Sequence, residues 1–288
     1  MHHDHFPDAA LVLLGHGSTK NAGSSAAVYQ HAAELRRRGI FAEVREAFWK
    51  QEPNAGEVLD SLASPRAFIV PLFISEGYFS SEVIPRSLGF APGAAKLPPA
   101  TRGNAGGNRT PEFFYCKPIG THERMTAVLL DRARGVVAQF PFPRAPRPKD
   151  LTLFVAGHGT QQNENSRQAI DLQVERIRAL NEYADVRAIF REEDPRIPEC
   201  YRLAPTKNIV IVPFFTGDGL HTQEDIPVLL GEAKRTVQDR LAAGQPTWRN
   251  PTERNGKLVW YAPAAGTDPL IAEVILERVR EMAEPART

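Results

Sequence analysis

A chain of 288 residues with 42% apolar content carries enough hydrophobic side chains for one or two packed domains. Its formal net charge of +1 argues against nucleic acid or an anionic membrane surface as a general partner. Two cysteines, Cys116 and Cys200, form no CxxC pair and point to a reduced, cytoplasmic chain, and no apolar run reaches transmembrane or signal-peptide character.

The first residues, Met1-His-His-Asp-His5, precede any packing partner and read as a terminal tail. Residues 10–14 form a short apolar run that stops at Gly15-His16-Gly17-Ser18, the pattern of a buried strand feeding a loop. Residues 24–38 place Val28, Ala32 and Leu35 on one helical face, with Gly39 as a C-cap. A second strand is expected over residues 41–48, a helix over 54–62 and a third strand over 67–74. Residues 89–111, rich in Gly, Pro, Ala and Asn, read as an inserted surface loop. A fourth strand over 112–118 and a helix over 121–137 would close a first domain, ahead of a stiff proline-rich linker at 141–148.

The pattern then starts again. Strands are expected at 151–156, 184–190, 208–215 and 258–262, and helices at 164–180, after Pro195 and at 269–282, with an insertion at 236–255. At an offset of 142 residues, Gly15-His16-Gly17 falls on Gly157-His158-Gly159, and Pro71, Phe73, Gly77, Glu82, Ile84 and Pro85 fall on Pro213, Phe215, Gly219, Glu224, Ile226 and Pro227. A register held without gaps from about Leu11 to Gly89 marks a duplication of domain length. The predicted fold class is therefore α/β: two tandem duplicated domains, each a parallel sheet with helices on both faces, with a cleft between them. The expected boundaries are 1–140, a linker at 141–150, and 151–288.

In open parallel sheets, ligands bind outside the C-terminal ends of the strands. Three such ends in the second half carry candidate ligands: His158, Glu192 or Glu193, and His221, at spacings of 34 and 29 residues from His158 through Glu192. Two neutral imidazoles and a carboxylate suit a borderline divalent ion, and an incomplete shell lets the ion be passed on. The same positions in the first half hold His16, Lys50 and Phe79, a set that cannot bind a dication. That half reads as a wall, with Trp49, Tyr78 and Phe79 offering flat apolar surface.

Three stretches resemble the CbiX-type sirohydrochlorin chelatases of the wider tetrapyrrole chelatase superfamily. They are Gly157-His158-Gly159-Thr160, Pro213-Phe-Phe-Thr-Gly-Asp-Gly-Leu-His221-Thr-Gln-Glu-Asp-Ile-Pro227 and Pro263-Ala-Ala-Gly266-Thr-Asp268. The resemblance implies insertion of Co2+ or Fe2+, with Ni2+ also compatible, into sirohydrochlorin or a related tetrapyrrole on the way to cobalamin or sirohaem. It implies His158 and His221 as the metal pair with Glu192 as acidic partner, and no organic cofactor. Insertion releases two pyrrole protons, for which a histidine or Glu192 is the expected base. The macrocycle would lie in the cleft against Gly157, Gly159, His16, Tyr78 and Phe79. A monomer suffices, because the duplication supplies both walls. Arg86, Arg187, Arg191 and Arg196 are candidate partners for substrate carboxylates.

Two other readings compete. A metal or tetrapyrrole carrier would use the same ligands without turnover. Gly-His-Gly-Ser-Thr-Lys-Asn21 also evokes the histidine phosphatase signature, but glycine stands where that chemistry needs its phosphate-clamping arginine.

Overall fold

The computed structural model describes residues 5–18, 23–97, 111–159 and 164–283, with the backbone alone at Ser24, Phe79 and Glu164. In chain order the first repeat comprises β1 (Phe6–Gly15), α1 (Gly23–Arg38), β2 (Phe41–Phe48), α2 (Ala55–Asp60), β3 (Arg66–Pro71), α3 (Ile84–Ser87), β4 (Lys96–Leu97), β5 (Glu112–Tyr115) and α4 (Met125–Gln139). The second comprises β6 (Leu151–Gly157), α5 (Glu164–Ala179), β7 (Asp185–Phe190), α6 (Cys200–Leu203), β8 (Asn208–Pro213), α7 (Ile226–Leu229), α8 (Lys234–Ala242), β9 (Thr252–Arg254), β10 (Lys257–Tyr261) and α9 (Ile271–Ala283). Each repeat builds a five-stranded sheet, in the orders β2-β1-β3-β5-β4 and β7-β6-β8-β10-β9. Four strands of each run parallel, and the short edge strands β4 and β9 pair antiparallel.

The central strands are apolar on both faces, as parallel strands covered by helices on each side must be. In the first sheet Ala10, Val12, Leu14, Ala67 and Ile69 form one core with Val58 and Leu59 of α2 and Ile84 of α3. Leu11, Leu13, Phe68 and Val70, offset by one residue, are buried too and belong to the opposite face. The second sheet repeats this, with Phe154, Ala156, Ile209 and Ile211 packed on Cys200 of α6 and Ile226 of α7.

Two insertions differ from the sequence expectation. The segment 236–255 contributes most of α8 and the edge strand β9, because Val237 and Trp248 are buried and anchor it on the sheet. The loop 89–111 contributes β4, and residues 98–110 lie outside the described residues, as do His2 and His3 of the tail.

The helix expected to close the first domain packs elsewhere. Compact units comprise Met1–His122 with Pro269–Thr288, and Glu123–Asp268. Within the second unit α4 lies against β8 and β10, and within the first α9 lies against α1 and β3. The polar contacts show why. Arg132 of α4 reaches Thr267 Oγ1 at 2.9 Å and Asp268 Oδ2 at 3.1 Å. Arg278 of α9, buried, donates to Pro118 O at 2.8 Å and Thr121 Oγ1 at 2.8 Å. Arg132 and Arg278, like Thr121 and Thr267, are repeat mates at an offset of 146. The exchange of terminal helices is thus reciprocal, each arginine serving the turn that precedes the other's helix.

Candidate metal site

Each of the three ligand-bearing strand ends of the second unit is built by identifiable local rules. β6 ends at Gly157, where a Cβ would stand 2.0 Å from Ile170 Cδ1, so glycine lets α5 press against the strand. His158 follows, then Gly159 with φ +67°, a left-handed turn in which a Cβ would meet Glu193 Cγ at 2.7 Å and Phe190 Cβ at 2.9 Å. That turn folds the Gly159 carbonyl back onto His158 Nδ1, 2.8 Å away. A carbonyl only accepts, so Nδ1 carries the proton and Nε2 keeps its lone pair. β7 ends at Phe190, and Glu192 N donates to His158 O at 3.0 Å, tying the acidic loop to the histidine. After β8, His221 opens the π-helical turn His221–Asp225, which places Asp225 on the same face four residues on.

These elements bring His158 and His221 together, with ring centroids 5.2 Å apart and planes 80° apart. Two imidazoles on one tetrahedral ion, with metal–nitrogen bonds of ~2.1 Å and ~1.1 Å from nitrogen to centroid, would hold their centroids roughly 5.2 Å apart. His221 Nδ1 lies 2.6 Å from Asp225 Oδ2. A carboxylate accepts, but Arg191 Nη1, which only donates, lies 2.7 Å from the same Nδ1, so these contacts hold the orientation of the ring without fixing its tautomer. For His158, the acceptor on Nδ1 fixes the tautomer that a metal-binding histidine needs. Glu192 Oε2 stands 3.7 Å from His158 Nδ1, beyond hydrogen-bond reach but close enough to turn toward a shared ion.

Arg191 and Asp225 complete the site, and neither was assigned this part from the sequence. The Arg191 guanidinium bonds Asp225 and Glu192 and comes within 2.7 Å of His221 Nδ1. Partial desolvation would raise both carboxyls. Bonding and charge from Arg191 and His221 hold Asp225 below its ordinary value, while Arg191, His158 and His221 do so for Glu192. Among the described residues no three His, Cys, Asp or Glu side chains form a ready-made metal cage. The signal for Asp225 was present in the i,i+4 spacing of His221-Thr-Gln-Glu-Asp225.

The first unit repeats half of this. His16 Nδ1 donates to Gly17 O at 2.9 Å, and Gly17 has φ +74°, as in the second unit. His16 packs on Phe73, as His221 does on the repeat mate Phe215, at centroid distances of 6.4 and 6.2 Å. Lys50 N donates to His16 O at 2.9 Å, but brings an ammonium where the other unit has Glu192. Trp49, Phe79 and Val83 stand where Arg191, His221 and Asp225 would be. Tyr78 is 67% exposed, and the Phe79 side chain lies outside the described residues.

Strand ends that gather two histidines and a carboxylate on an open parallel sheet, in a chain built of two such repeats, define an α/β protein of duplicated design with one candidate metal site. The chain belongs to the CbiX family, which it matches twice, over residues 10–136 and 152–282. It is 41% identical to a probable sirohydrochlorin cobaltochelatase of Halobacterium salinarum over 286 residues, 96% of this chain and 92% of that one. Among solved structures it resembles a multi-domain Deinococcus radiodurans protein with structural similarity to chelatases, at 26% identity and a TM-score of 0.73. That match covers 96% of this chain and 55% of the other. The fold is also that of SirB from Bacillus subtilis with Fe3+, at 16% identity, a TM-score of 0.66 and 96% coverage of both chains. Among the described residues no helix is long and apolar enough to cross a membrane.

Proposed function

We propose that this chain inserts a divalent metal, Co2+ or Fe2+, into sirohydrochlorin, with His158 and His221 holding the ion through Nε2 and Glu192 as the acidic partner. The observation that carries this reading is the His158–His221 pair, whose rings stand 5.2 Å apart, with His158 Nδ1 committed to a carbonyl acceptor and His221 held by Asp225. Neutral imidazoles bind the ion without trapping it, as a protein must if the ion is substrate and has to leave. As the ion passes to the macrocycle, two pyrrole N–H protons must go to a base. Glu192, 45% exposed with its carboxyl held below the ordinary value, is the base we assign to take them in turn and pass each to water. Membership of the CbiX family and the relative from Halobacterium salinarum support the same substrate.

The test is the initial rate of sirohydrochlorin metalation, measured anaerobically with Co2+, Fe2+ and Ni2+ in turn. His158→Ala and His221→Ala should each lower the rate at least about 100-fold, on the scale of losing a first ligand and its geometry. Near-normal turnover in either variant would remove that residue from the site. Binding of the ion and the macrocycle with no turnover would make the chain a carrier.

A further inference from the structure

Arg191 is the part of the site that metal ligation does not call for. Its side chain is 20% exposed, against 45% for Glu192. Its Nη atoms engage Asp225 and Glu192, while Nε is buried and has no hydrogen-bond partner among the described residues. The guanidinium is thus held by its charge partners and not locked along its length. Beside it lies a cavity of about 300 Å³, lined by Arg191, Glu192 and Asp225 on one side and Glu224, Val228 and Lys234 on another, into which the head group could turn. The duplication supplies independent support. In the first unit Arg191, His221 and Asp225 are all replaced, by Trp49, Phe79 and Val83, so the arginine is present where the second imidazole is present and absent where it is absent.

We propose that Arg191 is a resident counter-cation of the metal site, which neutralises Glu192 and Asp225 and competes with the incoming ion for them. The proposal rests on the metal-holding reading above. Two carboxylates and one guanidinium leave a single net negative charge beside the imidazoles. A dication therefore meets a weaker attraction, and the repulsion of a nearby cation, compared with a site that has both carboxylates free. When the ion passes to the macrocycle, the guanidinium closes again on Glu192 and Asp225, so release leaves no pair of unbalanced carboxylates. Arg191 acts through these carboxylates and is a positioning residue that sets affinity and release.

The experiment is a competition titration of the full chain, stripped by dialysis against chelator, with Co2+ and a fluorescent chelator. It is run on the unsubstituted protein and on Arg191→Met, Arg191→Lys and His221→Ala, with the rate of Co2+ release to excess chelator followed in parallel. Arg191→Met should bind Co2+ at least about tenfold more tightly, ~1.4 kcal/mol, and release it correspondingly more slowly. Arg191→Lys, which keeps the charge, should stay much closer to the unsubstituted protein. A merely structural arginine would give the opposite sign, since its loss would free Asp225 and loosen His221. Unchanged or weaker binding by Arg191→Met, with His221→Ala still abolishing the site, overturns this inference alone. Cobalt binding that survives His221→Ala with His2, His3 and His5 also replaced by Ala would instead overturn the underlying metal reading.

Discussion

Asp225 ties the sequence to the reactivity of His221. Asp225 Oδ2, 2.6 Å from His221 Nδ1, holds the imidazole in one orientation. Partners of this kind typically contribute 10–100-fold to metal affinity. Asp225→Ala should therefore weaken Co2+ binding by about that factor, and Asp225→Asn, which keeps an acceptor, by less; isothermal titration distinguishes them. The same contacts make stability depend on pH. Folding depresses the Asp225 and Glu192 carboxyls below ordinary values of 3.8 and 4.5. Their contribution is thus fully present above those values and lost as pH falls through the depressed ones. In urea denaturation of the metal-stripped protein, Asp225→Asn and Glu192→Gln should be destabilised at neutral pH, and the gap should close below about pH 4. A gap that persists at pH 2 would mean packing, not charge, accounts for it. That the strand ends bearing His158, Glu192 or Glu193, and His221 come together was legible in the sequence, because strand ends in a repeat can be counted. Arg191 left no such signal, and Asp225 only its i,i+4 spacing from His221, because which of several nearby charges pair depends on side-chain direction.

Among the elements, the turns before α4 and α9 fix where those helices go. A Cβ at Gly266 would stand 2.3 Å from the backbone oxygen of Thr216, and one at Gly120 would stand 1.9 Å from that of Ile74. Backbone cannot yield as a side chain does, so Gly266→Ala should cost about 1–3 kcal/mol through overpacking. Gly135→Ala in α4, where nothing lies within 4 Å, should add about 0.5–1 kcal/mol by helix propensity. Thermal or chemical denaturation reads both, and equal effects would contradict the close approach. The helices themselves were legible from their apolar spacing, α4 within a few residues of its expected span. Their exchange was not, since an amphipathic pattern states which face is buried but not against which sheet. Ile275→Ala, at a fully buried position of α9, should therefore speed amide hydrogen exchange in β3 of its own unit and leave β10 protected. Faster exchange in β10 alone would place α9 with the strands that precede it.

Across the whole chain, duplication has kept one architecture and changed the side chains at its strand ends. Both units retain the sheet order, the Gly-His-Gly turn and the tautomer lock on the histidine that follows the first strand of each repeat. Only the second carries the opposing imidazole and the acidic groups; the first has an ammonium at Lys50, and a dication there would meet one ligand and a like charge. The repeat register made this difference readable before any geometry was known, because aligned positions are compared one with another. What register alone did not give was the 5.2 Å approach of His158 and His221, which depends on the turn geometry after β6 and β8. The most direct test is a Co2+ titration of the full chain with residues 1–5 removed, so that the tail histidines do not contribute. One tight site per chain is expected, abolished by His221→Ala and by His158→Ala and retained by His16→Ala. Two equivalent sites per chain, or loss of the tight site on His16→Ala, would contradict the assignment of metal binding to the second unit.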